Sequence, residues 1–293
     1  MFKEITIIIV TFNSDHNIFK LLKKLPKKIK ILIVENSNRH QFKKNVEVLS
    51  KNIHCILTGS NIGYGRANNI GIQYSKTNYV LILNPDALID EKVIKQLYYR
   101  IKKEKKIAAI TCESVDGRNK ISKNYYFNKF SKLKKDLIKK KRGVVDVDHF
   151  TGSMFLAKKK ILKKAGLFDE NFFLNFEEID LFKKIFKLGY RVCIEKGLYF
   201  KHLKGSSAKP SIKYKMDISS KWHYNWGLIY FFKKNYGLPI ALLLFIKEIT
   251  INILKLIYFF IKQEKKKFYF IYYSILGLIN SIIGKKSFYR PEI

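Results

Sequence analysis

An α/β fold with a mainly parallel central sheet, followed by an α-helical region, is what this 293-residue sequence predicts. Three observations carry the prediction. Short apolar runs such as Ile5–Val10 and Tyr79–Leu83 have the length of buried strands. Helical patterns of about 10 to 15 residues alternate with them, as βαβ units require. After about Pro210 the chain changes character, to long aromatic-rich apolar stretches. Two regions are therefore expected, residues 1–210 and residues 211–293.

Taken in order, Ile5–Val10 is a first strand ending in Thr11-Phe-Asn-Ser-Asp15, where Ser14 or Asp15 can cap a helix. That helix has an apolar face of Ile18, Phe19, Leu22 and Leu25. Ile29–Val34 and Ile53–Leu57 are the next strands, the latter followed by a glycine-rich segment from Thr58 to Gly71 that runs on as a helix towards Ser75. Tyr79–Leu83 is a strand stopped by Asn84-Pro85, a breaker pair that leaves Asp86 just beyond its C-terminal end. Asp90–Lys103 is helical and Ile107–Cys112 is a strand. Val144–His149 alternates like a half-buried strand and runs into Phe150–Leu156. Helices over Lys158–Ala165 and Glu177–Leu188 follow, the second ended by Gly189, and then two short strands, Tyr190–Ile194 and Leu198–His202.

Charge narrows the partners. With 58 Lys and Arg against 23 Asp and Glu, the formal net charge is +35, which implies nucleic acid, an anionic membrane or phosphorylated substrates, unless it reflects coding bias alone. Aromatics crowd the C-terminal third and the basic residues are dispersed, which favours a membrane over nucleic acid. Lys129–Arg142 places eight basic residues around an apolar face of Phe130, Leu133, Leu137 and Ile138, so it is either a solvated basic helix or one that touches anionic lipid. Cys55, Cys112 and Cys193 sit far apart in apolar runs and read as core residues, not as a disulfide framework. The first apolar run is too short for a signal peptide, so the N-terminal region is expected in the cytosol.

Tyr236–Ile261 is apolar enough to suggest a membrane span. Yet Lys247, Glu248, Asn252, Lys255, Lys262, Gln263 and Lys266 fall within roughly 160° of one helical arc, which suits a helix lying in the interface. Phe268–Ile283 is a second, shorter run between Lys265-Lys-Lys267 and Lys285-Lys286, flanks suited to an anionic cytoplasmic leaflet. A helical hairpin packed on the first domain is the alternative.

Four polar clusters then stand at expected strand ends: Thr11 with Asn13, Glu35 with Asn36, Asn61 to Arg66, and Asp86. Such residues are ordinary in turns. In βα order they outline a crevice for a nucleotide diphosphate with a divalent cation, and Gly63-Tyr-Gly65 ahead of a helix could hold phosphate on backbone amides. Asp86 alone could instead cap the next helix. The glycines do not form a dinucleotide fingerprint, since they follow the third strand, and no P-loop Gly-Lys-Ser/Thr is present.

Eight stretches now resemble, in order over residues 4–207, the family 2 inverting glycosyltransferases, and within them the bacterial rhamnosyltransferase-like group. They are Val10-Thr-Phe-Asn13, Val34-Glu-Asn-Ser37, Gly59–Gly71, Leu83-Asn-Pro-Asp86, Thr151-Gly-Ser-Met154, Gly166-Leu-Phe-Asp-Glu170, Phe176-Glu-Glu-Ile-Asp-Leu181 and His202-Leu-Lys-Gly-Ser-Ser207. The resemblance implies a Rossmann-like glycosyltransferase A domain. It also implies that Asp86, the surviving carboxylate of an Asp-X-Asp motif falling on Asn84-Pro85-Asp86, ligates Mg²⁺ or Mn²⁺ on the donor diphosphate, with His202 as a further ligand or a structural histidine. Thr11, Asn13, Glu35, Asn61, Gly65, Arg66 and Asn84 would bind the nucleotide sugar, and Gly152, Ser153 and Asp180 would face the acceptor. Glu35 stands where the family usually has Asp.

Direct displacement at an anomeric carbon needs a carboxylate to take the acceptor proton. The family's Glu-Asp pair falls on Glu177-Glu178, placing the base on Glu178, which is one methylene longer than the usual Asp and so must be set back, unless Glu177 serves instead. Acidic residues at a helix start also complement its dipole, the bland reading of both. The expected activity is sugar transfer, from a dTDP-rhamnose-like or other nucleotide diphosphate sugar to a glycan on a polyprenyl diphosphate lipid. The expected place is the cytoplasmic face of the inner (plasma) membrane, held peripherally. The competing reading is a non-catalytic sugar- or nucleic-acid-binding protein.

Overall fold

The computed structural model describes residues 1–127, 142–203 and 210–290. Two compact units emerge, one of Met1–Asp169 with Glu178–Ser207, the other of Glu170–Glu177 with Ala208–Ile293.

The first unit opens with β1 (Ile5–Thr11), α1 (Asp15–Lys24), β2 (Lys30–Glu35), α2 (His40–Glu47), β3 (Ile53–Leu57), α3 (Tyr64–Tyr74) and β4 (Tyr79–Leu83). It continues through β5 (Ala87–Leu88), α4 (Glu91–Lys103), β6 (Ile107–Val115), β7 (Ile121–Ser122) and β8 (Tyr125–Tyr126). Then come β9 (Gly143–Asp146), β10 (His149–Phe150), β11 (Met154–Lys158), α5 (Lys159–Lys164), α6 (Glu177–Lys187) and β12 (Arg191–His202). The main sheet has the order β3-β2-β1-β4-β11-β6-β12-β5. Pairings among β3, β2, β1 and β4, and between β6 and β12, are parallel. Into this parallel frame β11 inserts antiparallel to both β4 and β6. The α/β class with a mainly parallel central sheet is thus as expected.

Burial explains why β1 and β4 read as continuous apolar runs. Ile5, Ile7, Ile9, Leu81 and Leu83 join the core on one face, while Ile8, Val80 and Ile82 join the core on the other. Strands covered on both faces need no polar alternation. On the second face α3 lies close to β1 because Gly71 carries no side chain: a Cβ there would stand 2.5 Å from Ile8 Cγ2. The three cysteines are reduced and buried, as expected of core residues.

Several local expectations need correction. Ser14 occupies the N-cap position of α1 but donates its hydroxyl to Phe12 O instead of capping the helix. Helix α2 carried too few apolar residues to be noticed: only Phe42 and Val46 are buried. The two short strands expected after Gly189 are one strand, β12, with an irregularity between Glu195 and Tyr199 that accommodates Gly197 at φ 84°. The expected strand Val144–His149 divides into β9 and β10, which pair with β12 and β8 respectively. The basic helix expected over Lys129–Arg142 and the motif end at Lys204-Gly-Ser-Ser207 lie outside the described residues, Arg142 apart.

The second unit holds α7 (Pro210–Tyr236), α8 (Leu238–Ile261) and α9 (Lys265–Ile282). Small residues let the helices approach: a Cβ on Gly277 would fall 2.4 Å from Trp222 O. The C-terminal tail is tied to α7, through Trp226 Nε1 donating to Lys285 O at 2.9 Å and His223 Nε2 lying 2.8 Å from Tyr289 O. Residues 170–177 pack within the same unit, with Phe172 edge-on to Trp226 and Phe176 beside Phe231. Asn175 and Phe176 both sit at φ 69°, a conformation that side chains rarely adopt and that only surrounding packing sustains.

The polar arc expected along Tyr236–Lys266 is broken. Helix α8 ends at Ile261, Gln263 turns through φ 53°, and Lys266 belongs to α9. Among the described residues no helix is long and apolar enough to cross a membrane.

Candidate active site

Strands β1, β2, β3 and β4 run parallel, so their C-terminal tips share one edge of the sheet. Polar residues arriving there meet by topology, not by sequence proximity.

At the first two tips Glu35 is wholly buried and accepts two hydroxyls, Thr11 Oγ1 at 2.5 Å and Ser37 Oγ at 2.6 Å. Asn36 is the hub of the next layer. Its Nδ2 donates to Asn61 Oδ1 at 2.9 Å, and its Oδ1 accepts the Ile62 N–H at 3.0 Å and the Thr58 hydroxyl at 3.2 Å. The loop after β3 is thereby fixed to β2, and Gly63 at φ 93° starts α3 beside it. Gly65 is buried in the first turn of α3 and Arg66 is exposed there. Asn13 adopts φ 52° in the turn after β1, a conformation that asparagine tolerates better than most residues.

Tyr64 joins this edge to the rest of the site. Its hydroxyl reaches Gly152 O at 2.7 Å and Asn84 Oδ1 at 3.0 Å. Asn84 N donates to Ser153 O at 2.8 Å, and Ser153 Oγ is 2.9 Å from Thr151 Oγ1. A Cβ on Gly152 would press to 3.3 Å from the Tyr64 ring, so a glycine suits this position. Asn69 secures the far side of α3 by a reciprocal pair, Nδ2 to Phe168 O at 2.9 Å and Phe168 N to Oδ1 at 3.0 Å.

Asp86 does not cap the following helix, whose N-cap is Asp90. Instead the Asp86 segment leads into β5, which pairs with β12 so that Ala87 faces His202. This brings His202 Nε2 to 3.4 Å from Asp86 Oδ1, both side chains being largely buried. One oxygen and one nitrogen donor at that separation fit one side of a divalent cation's shell, the remainder being left to substrate oxygens and water. Among the described residues no cluster of three or more His, Cys, Asp and Glu forms a closed cage.

Glu178 stands in the first turn of α6. Its carboxylate accepts the backbone N–H groups of Glu178 itself and of Gly152. Oε2 is enclosed and has no hydrogen-bond partner among the described residues. Burial pushes this carboxyl above the ordinary carboxylate range, and the two N–H bonds only partly oppose that. Glu177 is buried at the start of the same helix. Asp180, expected on the acceptor side, is wholly buried, with Lys184 Nζ at 3.5 Å one helical turn away.

The structure therefore gathers Thr11 with Glu35, Asn61 with Asn36, Asn84 with Ser153 and Gly152, Asp86 with His202, and Glu178 with Gly152. Sequence reasoning gave no role to Tyr64 or Ser37. Tyr64 lay in plain view between two glycines, but nothing local signals a partner 88 positions away.

The model of glycosyl transferase family 2 matches residues 6–166, more than half of the chain. The hexosyltransferase Agl10 of low-salt glycan biosynthesis in Haloferax volcanii is 27% identical over 190 residues, which is 61% of each chain. The match thus spans less than two thirds of that relative. The dTDP-rhamnosyl transferase RfbF of Shigella flexneri is 23% identical over 294 residues, covering 94% of this chain and 95% of its own. Among solved structures, the mannosyltransferase PcManGT of Pyrobaculum calidifontis, in complex with GDP-Man and Mn²⁺, superposes with a TM-score of 0.58 at 13% identity. It covers 97% of this chain and 88% of its own, a likeness of fold. The chain belongs to glycosyltransferase family 2.

Proposed function

We propose that the protein transfers a sugar from a nucleotide diphosphate sugar, with a dTDP-rhamnose-like donor favoured, to a glycan acceptor with inversion. One observation carries the reading. Gly152 links the candidate base to the donor edge: its N–H binds Glu178, and its carbonyl accepts the Tyr64 hydroxyl that also reaches Asn84, two residues before Asp86.

In this reading Thr11 and Glu35 work beneath the pocket surface, because both are wholly buried and hold two strand tips together. Asn13, Asn61 and Arg66 are accessible enough to touch the donor, and the N-terminus of α3 offers N–H groups to its phosphates. Glu178 Oε2 takes the proton of the acceptor hydroxyl as that oxygen attacks the anomeric carbon, and the nucleoside diphosphate departs from the opposite face. Asp86 and His202 would hold a divalent cation, which when bound neutralises charge on the leaving diphosphate. Gly152 and Ser153 line the acceptor side. Glu178 is taken as the base of the adjacent pair because its carboxylate is anchored on the Gly152 N–H beside the donor edge, whereas Glu177 is the more buried of the two.

The acceptor is proposed to be a glycan on a polyprenyl diphosphate lipid, met peripherally at the cytoplasmic face of the inner (plasma) membrane. The second unit supports this. Leu243, Leu254, Phe260 and Ile261 of α8 are each more than 60% exposed. Lys262, Lys265, Lys266, Lys285 and Lys286 are exposed at the helix ends. An apolar face with cationic margins matches an anionic bilayer surface.

Thermal stabilisation by a panel of nucleotide sugars with Mn²⁺, followed by transfer assays on the best binder, tests the donor. The expected result is stabilisation by dTDP-rhamnose that Asp86→Ala abolishes. Stabilisation by a UDP or GDP sugar alone would refute the donor assignment, and no stabilisation by any nucleotide sugar would refute the function.

A further inference from the structure

A cleft of about 780 Å³ opens in the first unit between α4 and the irregular part of β12, built from residues that the transfer mechanism does not use. Its volume lies within the roughly 300–1,000 Å³ of ordinary ligand clefts. One wall is a stripe along α4, where Lys92, Gln96, Tyr99 and Lys103 recur at helical spacing and so share a face. The other is the β12 bulge around Lys196 and Gly197, with Arg142 leading into β9.

The wall is constructed, not incidental. Gly197 holds φ 84°, gives its N–H to buried Glu113 Oε2 at 3.0 Å, and lets Arg142 lie across it, where an added Cβ would stand 3.1 Å from Arg142 Cγ. At the floor Glu195 is paired at both oxygens by Arg100, at 2.8 and 3.2 Å. The lining therefore carries five cationic side chains against one carboxylate, and since Arg100 is paired with that carboxylate, four cations remain in excess: Lys92, Lys103, Arg142 and Lys196. Tyr99 meanwhile shows 63% of its surface, although it stands edge-on to Tyr98. Cations recognise the charges of an anionic ligand, and an exposed aromatic face suits the C–H face of a sugar ring.

We propose that this cleft is a second binding site, taking a saccharide that bears carboxylate, sulfate or phosphate groups. The choice of saccharide over other anions rests on the exposed Tyr99 and on the glycosyltransferase reading. The binding test itself needs no transfer, so the two can fail separately.

Calorimetric titration of the full-length protein with a heparin-derived tetrasaccharide, maltotetraose and inorganic pyrophosphate provides the test. The anionic tetrasaccharide should bind and neutral maltotetraose should not. The double variant Lys92→Ala/Lys103→Ala should weaken binding at least tenfold and Tyr99→Ala several-fold, with nucleotide-sugar stabilisation unchanged in both. Removing equal charge elsewhere, by Lys20→Ala/Lys24→Ala on exposed positions of α1, should leave the affinity within about twofold. Unchanged affinity in the cleft variants, or equal losses in the α1 variant, would overturn the proposal. So would pyrophosphate binding as tightly with no effect of Tyr99→Ala, or a single-stranded oligonucleotide outcompeting the tetrasaccharide at the same residues.

Discussion

The first unit and helices α8 and α9 of the second are packed by opposite rules, although α7 of the second unit buries Trp222, Trp226 and Phe231. In the first, Ile5, Ile7, Ile8, Leu81 and Ile110 have no exposed surface, and burying such residues is the main source of stability. In helices α8 and α9 the buried positions are Ala241, Asn252, Ser274, Gly277, Leu278, Asn280 and Ser281. Leu243, Ile246, Leu254, Phe260 and Ile261 face outwards there. Asn252, Ser274 and Asn280 satisfy their side chains on carbonyls one turn back, donating to Glu248, Phe270 and Leu276. Small residues inside and large apolar ones outside is how helices associate where the surroundings are themselves apolar. The difference supports the proposal that the outward face of α8 and α9 meets a lipid surface, whereas the first unit buries its apolar residues within itself.

The comparison breaks most visibly by placing a charge on each kind of leucine or isoleucine. Ile8→Glu should abolish folding of the first unit, because it leaves an unpaired charge in a packed core. Leu243→Glu/Leu254→Glu should leave the thermal transition within a few degrees of the parent and release the protein from anionic vesicles by more than tenfold. Flotation with and without anionic lipid reads the second effect. Loss of folding in the leucine variant would show the outward face to be core, and assembly of the parent into dimers that the variant abolishes would show that a second copy covers it. Of intermediate size, Gly277→Val should cost about 1–3 kcal/mol by forcing α9 away from the Trp222 backbone, read by denaturant unfolding.

Smaller effects follow from two buried titratable groups, one in each unit. Burial raises the Glu178 carboxyl and lowers His223, to about 3, so both are held towards their neutral forms. As a base Glu178 acts only when deprotonated. The rate should therefore fall as pH drops, with an acid limb above the usual carboxylate range of about 4.3. His223 contributes stability that is present above its unfolded pKa, near 6.5, and lost as pH falls from there towards 3. Its neutral form alone can accept the Ser287 hydroxyl on one nitrogen, at 2.8 Å, while donating to Tyr289 O from the other. The hydrogen-exchange protection factors of residues 285–290, corrected for the intrinsic pH dependence of amide exchange, should thus fall below about pH 6.5, and His223→Gln should remove most of that dependence.

Much of the first unit was legible because both-sided burial writes itself as uninterrupted apolar runs in β1 and β4, while β2 and the edge strand β3, only partly buried, still carry enough apolar residues to be found. Antiparallel β11 was harder, since Met154–Lys158 looks the same whichever way it runs and direction is set by neighbours far away in sequence. Candidate site residues at strand tips could be read from position and motif, and the structure brings Asp86 near His202 across 116 positions. Tyr64 was missed because its partners, Asn84 and Gly152, come from other loops. In the second unit the polar residues of α8 could be placed on a helix, but not told apart as inward or outward facing. A sequence does not state which solvent its helices meet.

The central claim is that Glu178, anchored by Gly152 and enclosed at Oε2, is the base for sugar transfer. Its most direct test is the transfer rate of Glu178→Gln on the donor selected by stabilisation, with circular dichroism to confirm the fold. A fall of about 10²–10⁴-fold, with donor binding retained, is expected when a general base is removed. Transfer within a few-fold of the parent would contradict the assignment.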